Sequence, residues 1–224
     1  MGIDEAGRGP VLGDLFIGGV VFEENFLSKL ENTEIDDSKK INPDKREILF
    51  DFIVNHCFSH AIERITSKTI DESIRNNITL NDLELRSMAK LIIDLEPNVV
   101  YIDALGRDLK KFKQNLLKWV IPRMDFVPSI IPSYKADEKF KIVGAASILA
   151  KVHRDRSVKS LKSQYGEIGS GYPSDEITIS FLKDYIKMHH KPPEIARFSW
   201  QTCKTLMDEI VHQRKLDDYL KEES

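Results

Sequence analysis

Short apolar runs alternate with helix-like segments along this sequence, and that alternation limits the fold more than any other feature. "LFIGGVVFE" at 15–23 and "NVVYIDALG" at 98–106 are rich in β-branched and aromatic residues, as buried strands are. The segments 43–56, 80–95 and 107–119 are predicted to be helices. Strands separated by helices predict an α/β domain with a partly parallel sheet.

Residues typical of helix N-termini indicate where several of these helices begin. Asn42 before Pro43 is typical of a helix N-terminus, and Thr79 with Asp82 predicts a capping box. Ser174 is the predicted cap of a later helix, and Trp200 is a predicted packing anchor of the last one. The remaining predicted elements are strands in 59–67 and 126–134, a long helix over 142–165 and a last helix over 200–222.

Composition limits the class of protein. At 224 residues, with 41% hydrophobic and 31% charged residues, the chain is predicted to form one domain with a modest appendage. Because no apolar run approaches the roughly 20 residues of a membrane span, we expect a cytoplasmic protein without membrane association. A net charge of -3 argues against a protein that simply coats nucleic acid. Residues 135–162 nevertheless carry eight Lys or Arg against three Asp or Glu.

Acidic residues follow several of the predicted strands. Asp4 and Glu5 end the first strand, Asp103 ends the strand after Pro97, and Asp137 follows the strand in 126–134. Open α/β sheets bind ligands beyond the carboxyl ends of their strands. Gathered carboxylates have raised pKa values unless cations neutralise them, and oxygen ligands favour Mg²⁺ or Mn²⁺. Since adjacent strand residues point to opposite faces, the first strand is expected to end or twist at its two acids.

Several motifs, in order along nearly the whole chain, resemble those of the ribonuclease HII family. They are "GIDEAGRGP" at 2–10, "DSKK" at 37–40, "YIDALG" at 101–106, "KADEKFKIVGAASILAKVHRD" at 135–155 and "GSGYPSD" at 169–175. "PEIARFSWQT" at 193–202 is similar to the archaeal branch. The resemblance implies a ribonuclease H-like α/β fold, with a mixed central sheet flanked by helices. From the break at "HHKPPE" and the helix after it, we expect a catalytic domain at 1–190 and a small C-terminal helical extension at 191–224.

The family's activity is implied with the fold. It is an endonuclease that hydrolyses the RNA strand of RNA/DNA hybrids and cuts at single ribonucleotides in duplex DNA, leaving 3'-hydroxyl and 5'-phosphate ends. Mg²⁺ or Mn²⁺ is the implied cofactor, and DNA replication and repair the implied process. A monomer that contacts a sliding clamp through its C-terminal tail is also implied.

Residue by residue, the resemblance assigns the site. The implied catalytic metal ligands are Asp4, Glu5, Asp103 and Asp137, and the implied substrate-binding residues are Gly7, Arg8, Gly9, Lys39, Lys40 and Tyr172. Glycines let backbone amides approach phosphate, Arg8 offers a cationic fork, and Tyr172 offers a ring and a hydroxyl near a 2'-hydroxyl. Without the family context, a simple tight turn and a tyrosine that packs on the core are the better interpretations of these residues.

The sequence departs from the family pattern at Phe140, Lys141 and Gly144, where tyrosine, proline and serine are usual. We expect this change to affect the position of Asp137 or the helix entry, and hence the metal preference. Two other functions remain open. Another metal-dependent polynucleotidyl transferase of the same fold, such as a resolvase, would share the acids but not the 2'-hydroxyl reader. A catalytically silent nucleic-acid-binding module is opposed by the intact acids.

Overall fold

A computed structural model of the protein describes residues 1–35 and 41–222, without the side chains of 214–222. Within these residues a mixed sheet has the strand order β3-β2-β1-β4-β5. The strands are β1 (Gly2–Ala6), β2 (Leu15–Val21), β3 (Ser59–Ile65), β4 (Val99–Asp103) and β5 (Ser129–Ser133). β1 pairs antiparallel with β2, whereas β1 with β4 and β4 with β5 are parallel. The predicted α/β class with a mixed sheet is confirmed.

The helices follow the predicted order, with additions. They are α1 (Glu24–Glu31), α2 (Pro43–His56), α3 (Ser67–Arg75), α4 (Leu80–Leu95), α5 (Leu109–Val120), α6 (Ala136–Lys139), α7 (Lys141–Tyr165), α8 (Glu176–His189) and α9 (Gln201–Glu222), with a 3-10 turn at Ile121–Arg123. The sequence did not predict α1, α3 or α6. Among the described helices, none combines the length and the apolar character needed to cross a membrane.

Side-chain caps fix where several helices begin. Asn42 accepts a hydrogen bond from the amide of Lys45, and the Thr79–Asp82 capping box is formed in both directions, as predicted. The predicted Ser174 cap is wrong by one residue, because Asp175 precedes α8 and accepts from the amide of Ile177 at 3.0 Å. Either side chain suits an N-cap, and the path of the loop before α8 decides between them.

Two adjacent glycines of β2 show that helices cover both faces of the sheet. A Cβ at Gly18 would lie 2.5 Å from the carbonyl oxygen of Ala146, on α7. A Cβ at Gly19 would lie 3.4 Å from the side chain of Leu91, on α4. Since successive strand residues point to opposite faces, α7 and α4 lie on opposite sides of β2. The missing side chain at Gly18 allows the backbone of α7 to approach the sheet closely.

The first half of α7 is a core helix. Every residue from 142 to 150 is buried, and the run mixes small residues with Ile, Val and Leu. A helix that is apolar all round needs neighbours on every side. Val143 and Leu149 share one hydrophobic cluster with Val20 of β2 and Ile53 of α2. The sheet and α2 together therefore enclose this stretch.

The chain divides into two compact units. The first contains Met1–Gly7, Leu15–Arg64 and Thr79–Asp155, and the second contains Arg8–Asp14, Ile65–Ile78 and Arg156–Ser224. The second unit has its own hydrophobic core of Val11, Leu12, Ile168, Leu182, Ile186, Ala196, Cys203 and Leu206. Trp200 packs against this core, as expected for an anchor. The boundary between a catalytic domain and an extension at residue 190 stays a prediction.

Candidate active site

Three carboxylates from two neighbouring strands come together at one edge of the sheet. The parallel pairing of β1 and β4 places Ile3 opposite Ile102, and Asp4 and Asp103 follow directly in each strand. Asp4, Glu5 and Asp103 each offer a carboxylate oxygen, and these oxygens all lie within 4.8 Å of one another. We refer to these three residues as the acid cluster.

The two adjacent acids of β1 both reach the cluster. The strand does not end at them, because β1 stays paired with β2 as far as Ala6, which lies opposite Phe16. Asp4 is buried and Glu5 is half-buried. The amide of Glu5 donates a hydrogen bond to Oδ1 of Asp4 at 2.9 Å. This local contact fixes the Asp4 carboxylate beside the backbone of its neighbour.

The fourth predicted acid, Asp137, lies beside the cluster on the short helix α6. Its side chain is buried, and its charge acts on Asp4. Oδ1 of Asp103 accepts a hydrogen bond from the amide of Ala136 at 2.8 Å, which joins the end of β4 to the start of α6. Lys135 adopts a left-handed conformation at this junction, with φ of 52°. The turn into α6 thereby brings Asp137 near Asp103.

Burial raises the pKa of Asp4 from its ordinary value of 3.8 to about 7. The side chain is only 6% exposed, so its charged form loses most of its hydration. The charges of Asp103 and Asp137 raise this pKa further, while hydrogen bonds from Ser147 and the Glu5 amide lower it. Ionising Asp4 in the folded protein is therefore costly unless a cation is close.

Ser147 is a site residue that the sequence did not indicate. It is fully buried on α7, and its hydroxyl donates a hydrogen bond to Asp4. The contact depends on how closely α7 approaches the sheet, because Gly18 lies opposite Asp4 in the β1–β2 register. A serine inside the apolar run "AASILA" was the available signal. Which residue it would meet could not be read from the sequence.

The carboxylate oxygens of the acid cluster are suitable ligands for a hard divalent cation. Mg²⁺ and Mn²⁺ prefer carboxylate oxygens, and three such oxygens within 4.8 Å of one another can share an ion. A nearby positive charge would also offset the cost of ionising the buried Asp4. Asp137 is the candidate fourth ligand, because its charge acts on the same carboxylate.

In the second unit, two of the predicted substrate residues lie against each other. A Cβ at Gly9 would be 3.4 Å from Cε1 of Tyr172, whose side chain is 36% exposed. The carbonyl oxygen of Gly171 accepts hydrogen bonds from the amides of Val11 at 2.8 Å and Leu12 at 3.2 Å. The segment that carries Gly9 and the loop that carries Tyr172 are thus held together. Their exposed faces form one surface.

The structure describes the other predicted substrate residues in part. Gly7 follows β1 with φ of 92°, a conformation that favours glycine. Arg8 is half-buried and Gly9 is exposed. Lys39 and Lys40 lie outside the described residues. They stay predictions.

The departures from the family pattern have local packing partners. Phe140 packs on Tyr101, with ring centroids 4.8 Å apart, and Nζ of Lys141 donates to the carbonyl oxygen of Thr33 at 3.0 Å. A Cβ at Gly144 would lie 2.9 Å from the side chain of Ile35. A serine at 144 would therefore require Ile35 to move.

The mixed sheet, with carboxylates gathered near the carboxyl ends of β1 and β4, has the arrangement of a ribonuclease H-like fold. The chain matches the sequence model of ribonuclease HII over residues 1–203. A ribonuclease HII of Thermococcus onnurineus is 44% identical over 216 residues, covering 96% of this chain and 92% of that protein. The ribonuclease HII of Methanococcus aeolicus is 41% identical over an alignment of 235 positions, which covers 97% of this chain and 84% of that protein.

Solved structures agree with the sequence comparison. The ribonuclease H2 of Pyrococcus horikoshii OT3 superposes with a TM-score of 0.86 at 36% identity, covering 93% of this chain and 97% of that one. The ribonuclease HII of Archaeoglobus fulgidus, solved in complex with PCNA, gives 0.79 at 33% identity, covering 89% and 94%. This chain belongs to the ribonuclease HII family. It is an endonuclease with ribonuclease H activity, and that activity depends on divalent metal ions.

Proposed function

We propose that this enzyme hydrolyses the RNA strand of RNA/DNA hybrids and also cuts at single ribonucleotides in duplex DNA. The products are a 3'-hydroxyl and a 5'-phosphate. The acid cluster is the observation that carries this proposal, because its three oxygens lie within 4.8 Å of one another at the sheet edge. Such a group can hold the cations that phosphodiester hydrolysis requires.

The metal site consists of Asp4, Glu5, Asp103 and Asp137, and it takes Mg²⁺ or Mn²⁺. When bound, these ions supply the charge that activates a water and stabilises the leaving oxygen. The protein's part is to hold the ligands in place. The amide of Ala136 holds Asp103 at 2.8 Å, and the Ser147 hydroxyl holds Asp4. Ligands fixed in this way need little reorganisation on binding.

Substrate selection is the role of the residues around Tyr172. Its exposed ring offers a stacking face for a nucleotide, and its hydroxyl offers a hydrogen bond to a 2'-hydroxyl. Gly7 and Gly9 let backbone amides approach the substrate, and the guanidinium of Arg8 binds a phosphate. Lys39 and Lys40 contact the nucleic-acid backbone. The contact of Tyr172 with Gly9 supports a shared substrate surface.

The substitution Asp103→Asn tests the metal site. Asparagine keeps an oxygen that can accept from the Ala136 amide, so the change removes charge with little change of shape. We expect cleavage of an RNA/DNA hybrid to be abolished in Mg²⁺ and in Mn²⁺, with hybrid affinity largely kept. Asp94→Asn is the matched control, because Asp94 is half exposed on α4 and lies outside the acid cluster. Turnover of Asp103→Asn at the wild-type rate would overturn the assignment.

A substrate panel separates this function from the alternative on the same fold. Cleavage of all-DNA duplexes or four-way junctions at the rate seen with hybrids would favour a polynucleotidyl transferase or resolvase. Cleavage restricted to ribonucleotide-containing strands supports the proposal.

We infer that the enzyme acts as a cytoplasmic monomer and contacts a sliding clamp through its C-terminal tail. The Archaeoglobus fulgidus relative was solved in complex with PCNA, which supports a clamp partner. Truncation after residue 213 is the test. We expect it to abolish binding to a sliding clamp in calorimetry while hybrid cleavage persists. Unchanged clamp binding would exclude the tail as the contact.

A further inference from the structure

Arg197 is a buried arginine of the second unit. It holds the segment that carries Arg8 and Gly9, two of the residues proposed to bind substrate. Arg197 has 0% relative exposure, although arginine is among the residues least often buried. Its Nε donates a hydrogen bond to the carbonyl oxygen of Gly13 at 3.0 Å, and its NH1 donates to that of Arg8 at 2.8 Å. One guanidinium therefore binds both ends of residues 8–13, which we call the turn segment.

The backbone around Arg197 is paired with the same segment. The amide of Arg197 donates to the carbonyl oxygen of Val11 at 2.9 Å, and the amide of Gly13 donates to that of Ile195 at 2.8 Å. Leu12 and Ala196 form an isolated antiparallel bridge between these contacts. Residues 195–197 thus lie along the turn segment as a short paired strand.

Two further groups hold Arg197 and the residues that follow it. Its guanidinium carbon lies 5.0 Å from the ring centroid of Trp200, within the range of a cation–π contact. Asp71, which is 3% exposed, accepts from the amides of Phe198 and Ser199, both at 2.8 Å. The residues on the C-terminal side of Arg197 are therefore anchored to α3.

The opposite side of the turn segment contacts the tyrosine loop. Gly171 accepts from Val11 and Leu12, and Gly9 lies against the ring of Tyr172. Because the carbonyl of Arg8 is bound by Arg197, the peptide between Arg8 and Gly9 has a fixed orientation. Without the guanidinium, that peptide could rotate and the contact between Gly9 and the ring would loosen.

We propose that Arg197 is a positioning residue for ribonucleotide recognition, acting through the turn segment on Arg8, Gly9 and Tyr172. The proposal rests on the substrate-binding role assigned to those residues under the proposed function. Arg197 is fully buried, and its side chain bonds the backbone of the turn segment. It holds the 2'-hydroxyl-reading surface in one conformation, while the acid cluster belongs to the first compact unit.

The experiment compares binding of two duplexes of one sequence, which differ by a single ribonucleotide. Binding is measured in chelator, so that no strand is cut, and the ratio of the two affinities reports recognition of the 2'-hydroxyl. Arg197→Met keeps much of the apolar bulk and removes every donor, whereas Arg197→Lys keeps the charge but offers one ammonium for two carbonyls. Leu206→Ala is the matched control. Leu206 lies in the hydrophobic core of the second unit, but its apolar side chain forms no hydrogen bond with the turn segment.

We expect Arg197→Met to lower the affinity ratio by about tenfold, the size expected when charge-assisted hydrogen bonds are lost. Arg197→Lys is expected to recover part of the ratio. Calorimetric Mn²⁺ affinity is expected to stay at the wild-type value in both variants, and KM for the ribonucleotide duplex to rise more than kcat falls. Leu206→Ala is expected to lower Tm while keeping the ratio.

Folded Arg197→Met protein with the wild-type ratio and the wild-type KM would overturn the proposal. If Arg197→Met does not fold, folded Arg197→Lys protein with the wild-type ratio and the wild-type KM would overturn it instead. An equal loss of the ratio in Leu206→Ala would also overturn it, by showing a general effect of stability. Failure of the proposed function gives a different result. In that case the wild-type enzyme itself binds both duplexes with equal affinity.

Discussion

Replacing Asp4 by asparagine is predicted to stabilise the metal-free protein at alkaline pH. Burial raises the pKa of this carboxyl from 3.8 to about 7, so the folded state resists ionisation while the unfolded chain ionises freely. The stability that the neutral carboxyl contributes is fully present below its pKa in the unfolded chain. It is lost as pH rises through its pKa in the folded protein. The asparagine side chain cannot ionise, and its amide oxygen can still accept from the Glu5 amide.

The size of the effect follows from the two pKa values. At about 1.4 kcal/mol for each pH unit, the full difference corresponds to about 4 kcal/mol of unfolding free energy at high pH. Part of it is already present at mildly acidic pH, because the unfolded carboxyl ionises there. Between about pH 5 and about pH 8, the stability advantage of Asp4→Asn is expected to grow by about 2–3 kcal/mol.

Urea denaturation in chelator, followed by circular dichroism at several pH values, measures this advantage. Asp94→Asn is the control, and its stability is expected to follow the wild type at every pH. Adding Mg²⁺ or Mn²⁺ at the alkaline end is expected to stabilise the wild type more than the variant, because a bound cation favours the ionised ligand. An advantage that stays constant across the whole pH range would refute the claim that burial raises the pKa of Asp4 in the metal-free protein.

Three other substitutions give further predictions. Ser147→Ala removes the hydroxyl that stabilises charged Asp4, so calorimetric Mn²⁺ affinity is expected to fall by about tenfold; unchanged affinity would mean that the contact does not matter for metal binding. Gly18→Ala places a Cβ 2.5 Å from the carbonyl oxygen of Ala146. Urea denaturation is expected to show that the free energy of unfolding falls by about 1–3 kcal/mol. Wild-type stability would show that α7 can move away from β2. Tyr172→Phe keeps the ring and removes the hydroxyl, so the preference for a ribonucleotide over a deoxynucleotide duplex is expected to fall while Mn²⁺ affinity stays; an unchanged preference would assign the 2'-hydroxyl contact elsewhere.

Local signals in the sequence predicted much of the fold and part of the site. The Asn42 cap and the Thr79–Asp82 box depend on neighbouring residues alone, and both form as expected. Asp103 was predicted at the end of a strand, and it ends β4. Because β1 and β4 are adjacent and parallel, strand ends that are distant in sequence meet at one edge.

Interactions that depend on tertiary packing could not be predicted in this way. Ser147 reaches Asp4 because glycine at 18 lets α7 approach β2, and a serine in an apolar helix does not indicate its partner. Arg197 lies within a family motif, but no neighbouring residue shows that its side chain is buried. The pairing of 195–197 with the turn segment joins residues far apart in the chain.

We propose that this enzyme recognises a ribonucleotide and cuts beside it with metal ions held by its four acids. The most direct measurement uses a DNA duplex with one ribonucleotide and the identical duplex without it, in Mg²⁺, in Mn²⁺ and in chelator. Cleavage only of the ribonucleotide strand, only with metal, on the 5' side of the ribonucleotide and with 3'-hydroxyl and 5'-phosphate ends is the predicted result. Equal cleavage of both duplexes, or no cleavage of the ribonucleotide strand with either metal, would contradict it.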